Sequence, residues 1–405
     1  MDGWLAKHRW LVLLSISAGS CICYIPYAWS AFQPLVAADL GYATDAATAV
    51  IPCCSLFYGL LSVLGGQWHN RSPQSVYLIG ATAISCSYLL FCLSPPGASF
   101  FPVLCFGLTF GVGYGLIYSA ATPCLLAWFP DRRGFAIGTM AGASGIFLSV
   151  FTYWGTDLVT RVGSRQGFFI FGLISAVVLF STVPVIGIPP HTSQIRSRQP
   201  TLQLTDSTSG LTSRQMIHSN YFWLLFGSVA LVLPAYQLFS SQLYTLGMSH
   251  RLSAASSLLL VSVNPAFSSL GSFLIPPATD RYGRVKIIVL LWGLVFLSAF
   301  LIPYSTGILF VLLYLIQPFA YYGGSSAAVA LVVEFFGQQH SRENISIFNF
   351  TVSAGSLLTI LYSQAEVFFP SAGASMRAGS ISAAIAFLCS LLLVRRKKPR
   401  FLHRQ

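Results

Sequence analysis

The sequence predicts an all-α membrane protein with twelve transmembrane helices in two six-helix pseudo-repeats. Three observations carry that expectation. First, the 405 residues are 55% hydrophobic and only 8% charged, with a mean hydropathy of +0.71. A soluble domain carries roughly 25% charged residues, so most of this chain cannot face water. Second, apolar runs recur at the length a bilayer demands, about 20 residues for a core of roughly 30 Å. Third, a short charged turn recurs six runs apart, as expected when one half duplicates the other.

Read in order between polar breaks, the runs are 10–34, 46–68, 76–94, 100–126, 134–156, 167–188, 220–246, 254–277, 285–304, 307–336, 344–366 and 378–394. Trp10, Trp68, Trp128, Tyr153, Trp154 and Trp292 fall near expected span ends, where an interfacial aromatic belt would lie. The one long polar stretch, 191–219, is rich in Ser, Thr and Gln and has no apolar periodicity. It divides the chain into an N-terminal half (1–190), a linker (191–219), a C-terminal half (220–394) and a basic tail (395–405). The nine cysteines lie in or beside apolar runs, where Cys behaves as a small buried hydrophobe. Lys7-His8-Arg9 leads into an apolar run too long for the core of a cleavable signal peptide.

Charge sets the orientation. If both termini are cytoplasmic, the inside segments hold Lys7, Arg9, Arg71, Arg132, Arg133, Arg196, Arg198, Arg214, Arg281, Arg284, Lys286, Arg342 and six basic residues of the tail. Outside remain Arg161, Arg165, Arg251 and Arg377. The excess follows the positive-inside rule and supports an even number of spans. It places the linker in the cytoplasm and accounts for the formal charge of +12 without nucleic acid as a partner. A plasma membrane is expected over an organelle membrane. The sequons at Asn70 and Asn344 then fall on the cytoplasmic side and that at Asn349 within a span, so none is expected to carry sugar.

The turn after the eighth run reads PPATDRYGRVK, with Asp280, Arg281, Gly283 and Arg284; its partner after the second reads GQWHNRSPQ, with Asn70 and Arg71. A tight turn needs the Gly, the acid caps or pairs with a helix end, and the basic residues hold the turn at the headgroups. The spacing resembles the loop signature G-x3-D-R/K-x-G-R/K of the major facilitator superfamily, with Pro276 in place of the leading Gly, Asn70 in place of the first-half Asp and Pro73 in place of the first-half Gly. The segment GVGYGLIYSAATPCLLAWFPDRRGFAIGTMAGASG resembles the oxalate/formate antiporter and monocarboxylate-carrier-like branch more specifically. Its matching residues are Gly111, Gly113, Gly115, Tyr118, Trp128, Phe129, Pro130, Asp131, Arg132, Arg133 and Gly134. Gly111, Gly113, Gly115, Gly138, Gly142 and Gly145 remove bulk so that helices can approach closely.

The resemblance implies a secondary transporter working by alternating access between the two halves. The oxalate/formate branch places an Arg in its eighth span and a Lys in its eleventh to hold a dianion. Here those places fall at about Ser272 and Thr351, so the resemblance does not carry a dicarboxylate over. The solute expected is a monocarboxylate or similar small organic anion, or else a neutral polar-aromatic molecule. A co-transported proton is compatible with either.

Charge embedded in a membrane normally marks the solute path, and here Asp and Glu fall in loops or at span ends. Glu334 lies near the end of the tenth run, where a cap or inter-helix pair is favoured over a gating or proton role. The substrate candidates are therefore neutral: Tyr27, Trp29, Tyr114, Tyr118, Gln237, Asn264, Tyr321, Tyr322 and Asn349, with Gln33, Tyr236 and Gln317 beside them. The candidates for the gating loops are Asn70, Arg71, Asp131, Arg132, Arg133, Asp280, Arg281, Gly283, Arg284 and Glu334. A non-transporting receptor or scaffold of transporter descent is the competing class. Enzymatic activity is not expected: no loop holds a catalytic domain, and no Ser/His/Asp set or P-loop is present. No cofactor or metal is implied.

Overall fold

The computed structural model describes residues 9–42, 48–69, 72–129, 133–186, 210–337, 340–364 and 373–395. Every regular element among them is helical. In chain order these are α1 (Arg9–Cys23), α2 (Trp29–Leu40), α3 (Val50–His69), α4 (Pro73–Cys92), α5 (Phe110–Trp128), α6 (Arg133–Val162) and α7 (Ser164–Thr182). There follow α8 (Ser213–Ile217), α9 (Asn220–Ser241), α10 (Leu243–Ser249), α11 (Ala254–Tyr282), α12 (Arg284–Leu301), α13 (Gly307–Phe336), α14 (Ser341–Ser363) and α15 (Ala374–Arg395). Ten helices among the described residues are long and apolar enough to cross a bilayer. The bent pair α1–α2 makes up to eleven, and the second expected span is carried by α3, whose apolar part Val50–Gly66 is shorter.

The sequence explains the interruptions. Pro26 has no amide hydrogen and cannot continue α1, so the chain passes through a 3₁₀ turn at Ile25–Ala28 and bends by 42° into α2. The fourth span begins with a π-helical segment, Val103–Thr109, before settling into α5. The seventh expected span, 220–246, is divided: α9 ends at Ser241 and α10 is a separate short helix.

The helices reverse the usual soluble pattern. Large apolar side chains such as Leu14, Leu93, Val150, Ile308 and Leu388 point outward, while serine and threonine are buried. The buried hydroxyls are satisfied mostly by their own helices. In α6, Ser144, Thr152 and Thr156 each donate to the carbonyl four residues earlier, at 2.7–2.9 Å.

The chain divides into two compact units, one of residues 1–202, 241–248 and 253–269, the other of 203–240, 249–252 and 270–405. In the first unit the Gly-rich run of α5 permits unusually close packing. A Cβ on Gly113 would stand 2.7 Å from the Gly80 carbonyl oxygen, and one on Gly80 would stand 2.8 Å from that of Gly113. Gly111 and Gly115 meet the carbonyls of Cys54 and Tyr58 on α3 in the same way, each at 2.7 Å. Gly142, expected to serve close approach too, has nothing within 4 Å. An apolar aromatic cluster fills this unit: Trp29 lies against Phe106 and Phe168, and Phe32 against Phe151, Phe168 and Phe171.

Two groups of expectations are corrected. Trp292 is fully buried near the middle of α12, against Gly324, and Trp128 is also buried. Neither side chain faces outward, although Trp128 does end α5, whereas Trp10, Tyr153 and Trp154 are exposed. Cys86 is exposed, while Cys21, Cys23, Cys54, Cys105 and Cys124 are buried.

Candidate functional site

In the first unit, tyrosines from three parts of the chain converge. The break after α1 supplies Tyr24 and Tyr27, α3 supplies Tyr58, and α5 supplies Tyr114 and Tyr118, one turn apart. Tyr58 stacks on Tyr114 with ring centroids 4.3 Å apart and meets Tyr118 edge-on at 5.5 Å. Tyr24 lies 5.7 Å from Tyr27 and 6.1 Å from Tyr114. The Tyr27 hydroxyl is 3.3 Å from Ser55 Oγ. Tyr114 is buried beneath Tyr24, Tyr27, Tyr58 and Tyr118, which are each half-buried. Such a group offers ring faces and hydroxyls together, with no formal charge.

The second unit carries its own cluster. Tyr236 of α9 stacks on Tyr321 of α13 at 5.3 Å with the rings 10° from parallel, and Tyr322 meets both edge-on. Gln237 is buried and donates from Nε2 to Ser356 Oγ on α14 at 3.2 Å, while its Oε1 has no partner among the described residues. Small residues bring α13 close to its neighbours: a Cβ on Gly324 would meet the Trp292 ring at 2.7 Å, and one on Gly323 would meet the Gly271 carbonyl at 3.1 Å.

Six sequence candidates are thus brought together within units: Tyr27, Tyr114 and Tyr118 in the first, Gln237, Tyr321 and Tyr322 in the second. Trp29 instead packs among phenylalanines, Asn264 is buried in α11, and Asn349 is half-buried in α14. Ser272 is half-buried on α11 and Thr351 buried on α14. Sequence reasoning passed over Tyr58 because it lies in the second span rather than the first, fourth, seventh or tenth. The signal was Gly115, whose missing side chain lets the α3 backbone at Tyr58 approach α5.

Among the described residues every charged position lies near a helix end. Arg284, at the start of α12, pairs with Glu334 of α13 at 3.0 Å, each side chain about one-third exposed, and reaches the Ala330 carbonyl at 3.5 Å. Gly283 joins α11 to α12 with φ +92°, a conformation that costs glycine little and other residues much. Arg281 lies 5.9 Å over the Tyr282 ring. Asn70, Arg71, Asp131 and Arg132 lie outside the described residues, as do the side chains of Arg133 and Asp280.

Residues 10–360 match the family model of the Major Facilitator Superfamily. The chain belongs to that superfamily. Its relatives include the oxalate:formate antiporter of Oxalobacter formigenes, 22% identical over 349 residues that cover 85% of this chain and 81% of the relative. An uncharacterised MFS-type transporter, YhjX of Escherichia coli (strain K12), is 22% identical over 373 residues, covering 87% and 86%. The fold is shared with a peptide transporter POT solved with sulfate, at 12% identity and a TM-score of 0.71, covering 95% of this chain and 93% of that one. A bacterial homologue of the human lysosomal transporter Spinster gives a TM-score of 0.68 at 16% identity, covering 96% and 99%. This facilitator is therefore a multi-pass membrane protein of a transporter family.

Proposed function

We propose that this facilitator is a secondary transporter, working by alternating access, of a monocarboxylate or similar small organic anion. One observation carries the reading. The described charges stand at helix ends, while tyrosines gather along the spans of each unit, with Gln237 next to those of the second. The similarity to an oxalate:formate antiporter supports an organic acid as solute. The residues at the two cation places, Ser272 and Thr351, argue against a dianion, whose desolvation costs several kcal/mol when no buried cation offsets it. A monoanion can be met by tyrosine hydroxyls and amides, or it can cross with a proton as the neutral acid. Tyr118, Tyr322 and Gln237 are the residues proposed to hold it.

The test is counterflow of labelled monocarboxylates in proteoliposomes, with oxalate alongside. Monocarboxylate counterflow without oxalate exchange is expected; robust oxalate exchange would overturn the charge argument. Tyr118→Phe removes one hydroxyl and keeps the ring, so affinity should weaken by roughly 0.5–3 kcal/mol. An unchanged affinity would assign Tyr118 to helix packing. The protein is further proposed to sit in the plasma membrane with both termini and the 191–219 linker inside. A cysteine introduced at Ser207 should then react with an impermeant label only from the cytoplasmic side.

A further inference from the structure

Gln317 has no exposed surface, and neither its amide nitrogen nor its amide oxygen has a hydrogen-bonding partner among the described residues. It lies ten residues into α13, about 15 Å from the start of the helix and so near the middle of a bilayer core of roughly 30 Å. Burying a carboxamide with both ends unmet is unfavourable, and a chain of mostly apolar side chains could easily have supplied a leucine there. Tyr314 and Tyr321 lie three residues before and four after it, on the same helix face. Both are buried, and Tyr321 stacks on Tyr236.

The chemistry of the surroundings narrows what could meet this amide. The sole charged residue of α13 is Glu334, about 25 Å further along. The elements packed against α13 carry their charges at their ends: Asp280 and Arg281 on α11, Arg284 and Lys286 on α12, Arg342 and Glu343 on α14, and none on α9. His250 stacks on Phe310, two turns before Gln317, and its Nδ1 is 2.6 Å from the Ser305 carbonyl. The titratable groups on this face of α13 are Tyr314 and Tyr321, and Tyr236 of α9 stacks on the latter.

A carboxamide presents one donor and one acceptor side by side. A protonated carboxylic acid or another carboxamide matches it with two simultaneous hydrogen bonds. An ionised carboxylate offers acceptors only, so it would satisfy the nitrogen and set its charge against the amide oxygen. We propose that Gln317 binds the substrate's carboxyl group in its uncharged, protonated form, so that the proton crosses on the substrate. This rests on the monocarboxylate reading above and adds to it the ionisation state and the residue that selects it.

Purified protein in detergent provides the test, with benzoic acid and benzamide as probes because flat rings suit the stacked tyrosines. Their dissociation constants are measured across pH by equilibrium binding. Benzamide, which does not ionise, should bind equally at every pH. Apparent affinity for benzoic acid should fall by about tenfold per pH unit above its own pKa. Gln317→Met keeps the length and loses the amide; it should weaken both probes by about tenfold or more while the thermal unfolding profile is retained. Should that variant not fold, the wild-type pH profiles decide alone. Benzoate bound undiminished when ionised, with benzamide excluded, would overturn the proposal and leave a monocarboxylate carrier standing. Full affinity for both probes in Gln317→Met would overturn it too. If neither probe binds and no monocarboxylate shows counterflow, the proposal and the reading beneath it fall together.

Discussion

Replacing Gly113 by alanine should destabilise this facilitator, against the intrinsic preference of a helix for alanine. The added Cβ would stand 2.7 Å from both the Gly80 carbonyl oxygen and Ile84 Cγ1, and 3.0 Å from the Ile84 amide nitrogen. Ordinary contact lies at about 3.5 Å or more. Two of the three obstacles are backbone, so no rotamer change relieves them. The helices α4 and α5 must part along a seam where Gly80 makes the reciprocal approach. Overpacking of this kind costs about 1–3 kcal/mol, and the upper end applies because the backbone must move. Exchanging glycine for alanine in a helix returns about 1 kcal/mol, leaving a net loss near 2 kcal/mol. Gly142 is the internal control: it sits in α6 with nothing within 4 Å, so Gly142→Ala should be neutral or stabilising. Membrane proteins usually unfold irreversibly, so the two variants and the wild type should be heated in parallel and followed by fluorescence-detected gel filtration. A Gly113→Ala protein as heat-stable as the wild type would refute the reasoning.

Three further outcomes are expected. Asp39 accepts hydrogen bonds from the Ser164 amide at 2.7 Å and hydroxyl at 2.8 Å, capping the first turn of α7, so Asp39→Ala should cost about 1 kcal/mol of stability in thermal scans; no loss would show that the cap is dispensable. Asn344 is fully buried, donates to the Leu211 carbonyl and accepts from the Ser213 hydroxyl, both at 3.0 Å, so Asn344→Leu should loosen the segment around α8 and speed its limited proteolysis; an unchanged digestion rate would disprove this clasp. Glu334→Gln and Arg284→Gln should prove non-additive in a double-mutant cycle, with a coupling below about 1 kcal/mol because both side chains reach solvent; strict additivity would dissolve the pair.

How much of this was written in the sequence depended on the kind of signal. The spans were legible because a bilayer demands long apolar runs, and the glycines of α5 announced close packing that the carbonyl of Gly80 then explains. Pro26 marked a break that is present as a bend. Which face of each helix turns inward was not legible. In lipid the outer face is as apolar as the inner, so hydropathy does not distinguish them. That is why Trp292 was assigned to an interface and is buried, and why Cys86 was assigned to the interior and is exposed. The tyrosine cluster of the first unit was partly visible, through Tyr27, Tyr114 and Tyr118. Tyr58 joins it only because two helices pack at glycine distance, a fact of three dimensions that periodicity does not encode.

The bend in the first span has a mechanical consequence. Below it, α1 is fastened through Trp10 to Phe129 and Phe135, with centroids 5.5 and 6.0 Å apart. Above it, α2 is fastened through Phe32 to Phe151 and Phe171, and through Asp39 to the head of α7. A straight helix would transmit any tilt from one end of the membrane to the other as a rigid lever. Two short rods joined at Tyr24–Ala28 do not, because the joint absorbs part of the rotation. The two ends of this span are thus free to follow different neighbours, with Tyr24 and Tyr27 seated on the joint itself.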